Sequence, residues 1–185
     1  PLTALGFPLA GRATRLALEP AAHGALTVAL HPGSGSTAKN WPVEKWRQLA
    51  GQLLAANPEV ELAIIGGEAD AAAVAALRGL DASRVVLWEN LPLTELAARL
   101  AGARLYLGHD TGVSHLAAAA GVPSLLLFGP SDPGVWAPPH EHVRVLRAPE
   151  GSLPNLPVAT VLAALARFRE GPRLATGHQS PEDEE

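Results

Sequence analysis

Short runs of consecutive apolar residues, each followed by a stretch of helical periodicity, constrain this chain more than any other feature. Leu26-Thr27-Val28-Ala29-Leu30, Leu62-Ala63-Ile64-Ile65, Val85-Val86-Leu87-Trp88, Leu105-Tyr106-Leu107-Gly108 and Ser124-Leu125-Leu126-Leu127-Phe128 lack the in-out alternation of a half-exposed strand. They read as strands covered on both faces. Between them lie helical patterns: 43–56, with Trp46, Leu49, Leu53 and Leu54 on one side, then the alanine-rich 68–77, then 94–101 behind a cap at Thr94, then Leu116 through Ala120. Val143-Arg144-Val145-Leu146 suits a sixth strand at an edge, and 158–169 a last helix. Such alternation means βαβ units and a parallel sheet, and right-handed crossovers make it an α/β, Rossmann-like, doubly wound layer sandwich.

Composition narrows the chemistry. With 185 residues and 48% apolar content, one sizeable core is expected. A net charge of -4 without a basic run argues against a nucleic-acid partner. The absence of cysteine excludes disulfides, thiol nucleophiles and thiolate metal sites. No apolar run reaches the length of a membrane span, so a cytoplasmic location is expected, with peripheral placement at the inner face of the membrane left open. The expected organisation is a linker or remnant of an amino-terminal domain over 1–24, a Rossmann-like domain over 25–170, and a charged, disordered tail over 171–185.

In a doubly wound sheet, ligands bind beyond the carboxyl ends of the strands. The loop His31-Pro32-Gly33-Ser34-Gly35-Ser36-Thr37-Ala38-Lys39-Asn40-Trp41-Pro42 carries glycines, hydroxyls and one of only two lysines, Lys39 and Lys45. It can form a backbone nest around phosphate oxygens. It is not a Walker A loop, because Ala38 and Asn40 occupy the required glycine and Ser/Thr positions around the lysine. Gly33 to Ala38 fits the looser G-x-G-x-x-A dinucleotide fingerprint, but its helix begins too late, near Pro42. Asp110-Thr111-Gly112-Val113-Ser114-His115 is a strand-to-helix turn whose unpaired N–H groups and helix dipole favour an anion. Glu68, after Gly66-Gly67, places a carboxylate where ribose hydroxyls can be held, and Asn90-Leu91 can meet a base. Gly129-Pro130-Ser131-Asp132-Pro133 reads as a rigid turn at the same edge. His140-Glu141-His142 is a weak metal candidate, and no G-x-S-x-G elbow supports a serine triad.

His31-Pro32-Gly33-Ser34-Gly35, Lys39-Asn40-Trp41-Pro42, Gly66-Gly67-Glu68, Asp110-Thr111-Gly112-x-x-His115 and Phe128-Gly129-Pro130-Ser131-Asp132-Pro133 together resemble the carboxyl-terminal half of glycosyltransferase family 9, the ADP-heptose:lipopolysaccharide heptosyltransferases. The resemblance runs from about Leu26 to Leu146. It implies one half of a GT-B fold and metal-independent, inverting transfer of a sugar from a nucleotide diphosphate, with no cofactor and no metal, to a lipopolysaccharide-type or other glycan acceptor. It implies that Ser34, Gly35 and Ser36 meet the pyrophosphate, that Lys39 and His115 stabilise the leaving diphosphate, and that Glu68 holds the ribose and Leu91 borders the adenine. Thr111 and Gly112 would bind phosphate, and Asp110 and His115 the donor sugar and diphosphate region. The general base would come from an amino-terminal acceptor domain, so this chain alone is expected to bind donor with little turnover. A stand-alone nucleotide-sugar-binding module and an NAD-type dinucleotide-binding domain are the competing readings.

Overall fold

The computed structural model describes residues 15–22 and 26–169. The expected tail 171–185, and residues 1–14 and 23–24 of the expected linker, lie outside the described residues. The described chain forms one parallel six-stranded sheet in the order β3-β2-β1-β4-β5-β6. Its strands are β1 (Leu26–Leu30), β2 (Val60–Gly66), β3 (Val85–Glu89), β4 (Leu105–His109), β5 (Ser124–Phe128) and β6 (Val143–Arg147). The helices are α1 (Val43–Ala56), α2 (Ala71–Leu77), α3 (Leu93–Gly102), α4 (Gly112–Ala120), α5 (Pro133–Trp136) and α6 (Val158–Arg169). Among the described residues, no helix is long and apolar enough to cross a membrane.

The period-two geometry of a strand assigns alternate residues to opposite faces. Leu30, Leu62, Ile64, Leu107 and Leu125 pack with Trp46, Leu49 and Leu54 of α1 and with Val161 and Leu165 of α6. Ala29, Ala63, Tyr106 and Leu126 pack with Leu96 and Leu100 of α3 and Ala117 of α4. Both faces are covered, which is why the central strands are continuously apolar. The edge strand β3 instead leaves Val86 and Leu87 exposed.

β1 lies between β2 and β4, with Leu30 opposite both Ile64 and Leu107. The chain winds outward from β1 through β2 to β3, then returns to β4 and winds the other way. The carboxyl ends of β1 and β4 therefore flank the switch point, where the connections diverge and leave a crevice.

Local readings of the sequence are corrected at two helix starts. Thr94 does not cap its helix: α3 begins at Leu93 behind Pro92, whose extended ψ of 142° turns the chain, and Thr94 is exposed. The helix expected over 68–77 is divided into a 3-10 turn, Glu68–Asp70, and α2. There the Asp70 carboxylate folds back to accept the Gly67 N–H at 3.0 Å. Residues 15–22 run extended across two helices, the Leu16 N–H donating to Ala119 O of α4 (2.8 Å) and the Ala21 N–H to Ala98 O of α3 (3.0 Å).

Candidate functional site: a crevice at the switch point

Only Asp110 and Thr111 connect β4 to α4. Thr111 is the N-cap, its Oγ1 accepting the Ser114 N–H at 3.4 Å. Ser114 Oγ donates back to the His109 carbonyl, and the Tyr106 hydroxyl reaches Ser114 Oγ at 3.0 Å from below. Burial raises the phenol pKa, so Tyr106 stays protonated there. Gly108 makes room for it, since a Cβ at 108 would lie 2.2 Å from the Tyr106 hydroxyl oxygen. This turn is braced from beneath by its own strand. The first N–H groups of a helix have no acceptor within it, and the positive end of the α4 dipole lies at this edge of the sheet.

The connection from β1 to α1 is longer and is held from outside. His109 is fully buried, and its Nε2 accepts the Trp41 N–H at 2.9 Å. The neutral ring therefore carries its proton on Nδ1, which donates to Gly33 O at 3.2 Å. Burial holds the imidazole pKa down at about 4, so the ring is neutral at pH 7. One side chain of β4 thus clamps the loop near both of its ends. Trp46 stands edge-on to His109 and to Trp41, each with ring centroids 5.4 Å apart, and the Trp41 indole N–H donates to Leu156 O at 3.0 Å. Within the loop, Ser34 Oγ donates to Ser36 O (2.7 Å) and accepts the Ser36 N–H (3.3 Å). Lys39 reaches across the switch point, its Nζ 2.7 Å from Asp110 Oδ2. Lys45 donates to the Pro154 and Leu156 carbonyls at 2.6 and 2.9 Å, so both lysines make specific contacts.

A third strand end contributes Asp70. Its Oδ2 lies 3.3 Å from His31 Nε2, and that hydrogen bond, more than any other influence, lowers the Asp70 pKa. The other nitrogen of His31, Nδ1, lies 3.4 Å from Thr111 Oγ1. The three connections are therefore joined side chain to side chain.

Between them lies a cavity of about 240 Å³. His31, Ser34, Gly35, Gly67, Asp70 and Thr111 supply a polar side, while Ile65, Trp88, Leu91, Leu96 and Val113 supply an apolar one. Asn90 turns the chain there with φ of 51°, a conformation Asn tolerates better than most residues. Such a cavity suits a ligand with an anionic group at one end and a flat apolar ring at the other.

Of the residues singled out in the sequence, Ser34, Gly35, Leu91 and Thr111 line this cavity, with Asn90 beside Leu91. Lys39 and Asp110 form the ion pair outside its lining. Ser36, Glu68, Gly112 and His115 are exposed and do not line it. His142 directs Nε2 to Ala118 O at 2.9 Å, and among the described residues no group of His, Asp or Glu is placed to hold a metal. Sequence reasoning missed His31, His109 and Asp70 as site residues. A signal existed for the first two: each directly ends a buried apolar strand beside the switch point. Asp70 carried none, because its role depends on the turn that brings it back under Gly33.

The family model described as glycosyltransferase family 9 (heptosyltransferase) matches residues 5–164. Lipopolysaccharide heptosyltransferase 1 of Escherichia coli (strain K12) is 34% identical over 128 residues, which cover 69% of this chain and 40% of that relative. The solved structure of E. coli heptosyltransferase WaaC with ADP superposes with a TM-score of 0.70 at 31% identity, covering 78% of this chain and 44% of the other. The structure of the same enzyme with ADP-2-deoxy-2-fluoro heptose superposes with a TM-score of 0.67 at 30% identity, covering 78% and 43%. The chain thus spans about 40% of the length of the curated relative it matches. A parallel sheet wound both ways from β1 and β4, a crevice at that switch point and a family match across most of the chain lead to one conclusion: this protein belongs to glycosyltransferase family 9.

Proposed function

We propose that this chain is the donor-binding half of a heptosyltransferase-like enzyme, and that the switch-point cavity takes the nucleoside diphosphate of ADP-heptose or a related nucleotide sugar. The carrying observation is the division of the cavity into a polar side, headed by the amino terminus of α4, and an apolar side formed by Trp88, Leu91 and Leu96. The diphosphate would lie against the polar side and the adenine against the apolar side. Relatives solved with ADP and with an ADP-heptose analogue support this assignment.

In the transfer, an acceptor hydroxyl oxygen bonds to the anomeric carbon as the bond from that carbon to the phosphate oxygen breaks. The bonding electron pair leaves on the diphosphate. Helix N–H groups and Lys39, preorganised in the crevice edge, would stabilise that developing charge without a metal. The exposed residues Ser36, Glu68, Gly112 and His115 lie on the same set of connections and would close on the ligand from the open side. The base that takes the hydroxyl proton would belong to an amino-terminal domain, and this chain alone would bind donor without turning it over.

Calorimetric titration of the 185-residue chain with ADP, ADP-heptose, UDP-sugars and NAD tests this. Binding of ADP and ADP-heptose well above that of the UDP-sugars and NAD is expected. Tight NAD binding with indifference to ADP-sugars would overturn the assignment.

A further inference from the structure

His31 lines the cavity and is only 4% exposed, yet both ring nitrogens have polar partners: Asp70 Oδ2 at 3.3 Å from Nε2 and Thr111 Oγ1 at 3.4 Å from Nδ1. An ionised carboxylate can only accept, so Nε2 carries a proton. In the neutral ring Nδ1 then holds a lone pair, and the Thr111 hydroxyl donates to it, because its other polar neighbour, Ser114 Oγ at 3.4 Å, already receives the Tyr106 hydroxyl at 3.0 Å. The hydroxyl oxygen already accepts the Ser114 N–H as the cap of α4. A neutral His31 therefore leaves Thr111 without a proton for a phosphate oxygen. A second proton, on Nδ1, reverses this. Nδ1–H then donates to Thr111 Oγ1, the hydroxyl proton turns outward, and a positive charge backed by Asp70 faces the cavity.

We propose that His31 is a proton-carrying positioning residue of the donor site: diphosphate binding is coupled to uptake of one proton on His31 Nδ1, which releases the Thr111 hydroxyl to donate to the ligand. This rests on the assignment of the cavity to a nucleotide diphosphate.

The titratable groups packed around His31 are fixed by burial or by a partner. From the 3-10 turn after β2, Asp70 is held below the usual carboxylate range by its hydrogen bond to His31. From β4, His109 is held at about 4 by burial, and the phenol of Tyr106 is raised by burial. At the head of α4, Asp110 is paired with Lys39. His115, exposed at the head of α4, is the other imidazole on this side, so proton uptake is assigned to His31 by its loss in His31→Gln and its survival in His115→Gln.

ADP-heptose is the suitable probe, because both phosphates of a diphosphate diester stay singly ionised throughout this range. The terminal phosphate of ADP has its own second ionisation near pH 6 and would obscure the count. Calorimetric titration in buffers of different ionisation enthalpy gives the number of protons taken up. Uptake approaching one is expected at pH 7.5, with affinity rising as pH falls, at the limit about tenfold per pH unit. His31→Gln, which retains an amide in place of the imidazole but cannot titrate, should bind with an affinity flat from pH 6 to 8. Binding of ADP-heptose by the wild-type chain without proton uptake would overturn the inference while leaving the donor assignment standing, and so would uptake persisting in His31→Gln. Failure of ADP-heptose to bind at all would remove both. If His31→Gln does not fold, the proton count of His115→Gln decides: uptake unchanged from wild type supports His31, and its loss overturns the inference.

Discussion

The two connections that face each other across the switch point are built on opposite plans. The one after β4 is two residues long and braced internally by Thr111, Ser114 and Tyr106. The one after β1 runs from His31 to Pro42 and draws its fixed points from elsewhere: His109 and Asp110 at the end of β4, Asp70 after β2, and Leu156 ahead of α6. A short turn inherits its geometry from the strand and helix it joins. A long glycine-bearing loop has too many conformations to settle by itself, and ordering each of its residues costs about 1–2 kcal/mol of backbone entropy. The difference teaches that the loop after β1 is ordered by its neighbour, with His109 as the principal link.

Removing that link should break the comparison most severely. His109→Leu strands the Trp41 N–H and the Gly33 carbonyl in a buried site, and a loss of about 4 kcal/mol of stability is expected, from two orphaned polar groups and altered packing. Urea denaturation measures it, and nucleotide binding should be lost with the loop. A loss below about 1 kcal/mol would mean that the loop holds its own shape.

Next in size is the acid side of the stability profile. The unfolded chain binds a proton on His109 from about pH 6.5 downward, whereas the folded chain binds it only near 4. Stability from the neutral ring is therefore complete above pH 6.5 and drains away as pH falls toward 4, in total on the order of 3 kcal/mol. Asp70, whose folded pKa is lowered, adds loss in the same direction as pH falls through that pKa. Urea midpoints from pH 7.5 to 4 should fall more steeply for wild type than for His109→Gln. Parallel profiles would contradict the buried neutral ring.

Lys39 distinguishes the loop's chemistry from its architecture. Lys39→Ala should weaken ADP binding about tenfold, as expected for a charge-assisted contact, and adenosine binding much less. Part of the loss would come from Asp110, left with an unpaired carboxylate whose side chain is only 8% exposed. Lys39→Ala with Asp110→Asn separates the two contributions. Equal weakening of adenosine and ADP would show that Lys39 does not meet phosphate.

The smallest effect belongs to the short turn. Thr111→Val removes the cap and the hydroxyl partner of His31 Nδ1, and should cost about 1 kcal/mol of stability, measured by denaturation, while the His109 clamp keeps the β1 loop in place.

Sequence alone delivered the layered sheet because continuous apolar runs and helical periodicity are local signals. The last helix, 158–169, has the expected bounds for that reason. The start of α3 was misread because Thr94 is a good capping residue placed two positions after a proline that decides the start first. At the site, Ser34, Gly35, Leu91 and Thr111 were legible because loops following parallel strands gather at one edge. The His109 clamp and the His31–Asp70 pair were not, because each depends on contacts between residues far apart in the chain. A histidine after a strand says nothing by itself about the nitrogen, proton or carbonyl it will meet.

The close approach of Gly33 to Asp70 has a consequence for how this sequence can change. A Cβ at position 33 would lie 1.7 Å from Asp70 Oδ1, and that carboxylate is tied to Gly67 and His31 and cannot swing aside freely. Loss of the carboxylate alone does not free the site, because the same Cβ would lie 2.8 Å from Asp70 Cβ, so the turn after β2 must shift as well. A side chain at 33 therefore requires both a change at 70, which relaxes the hold on His31, and movement of the backbone that carries it.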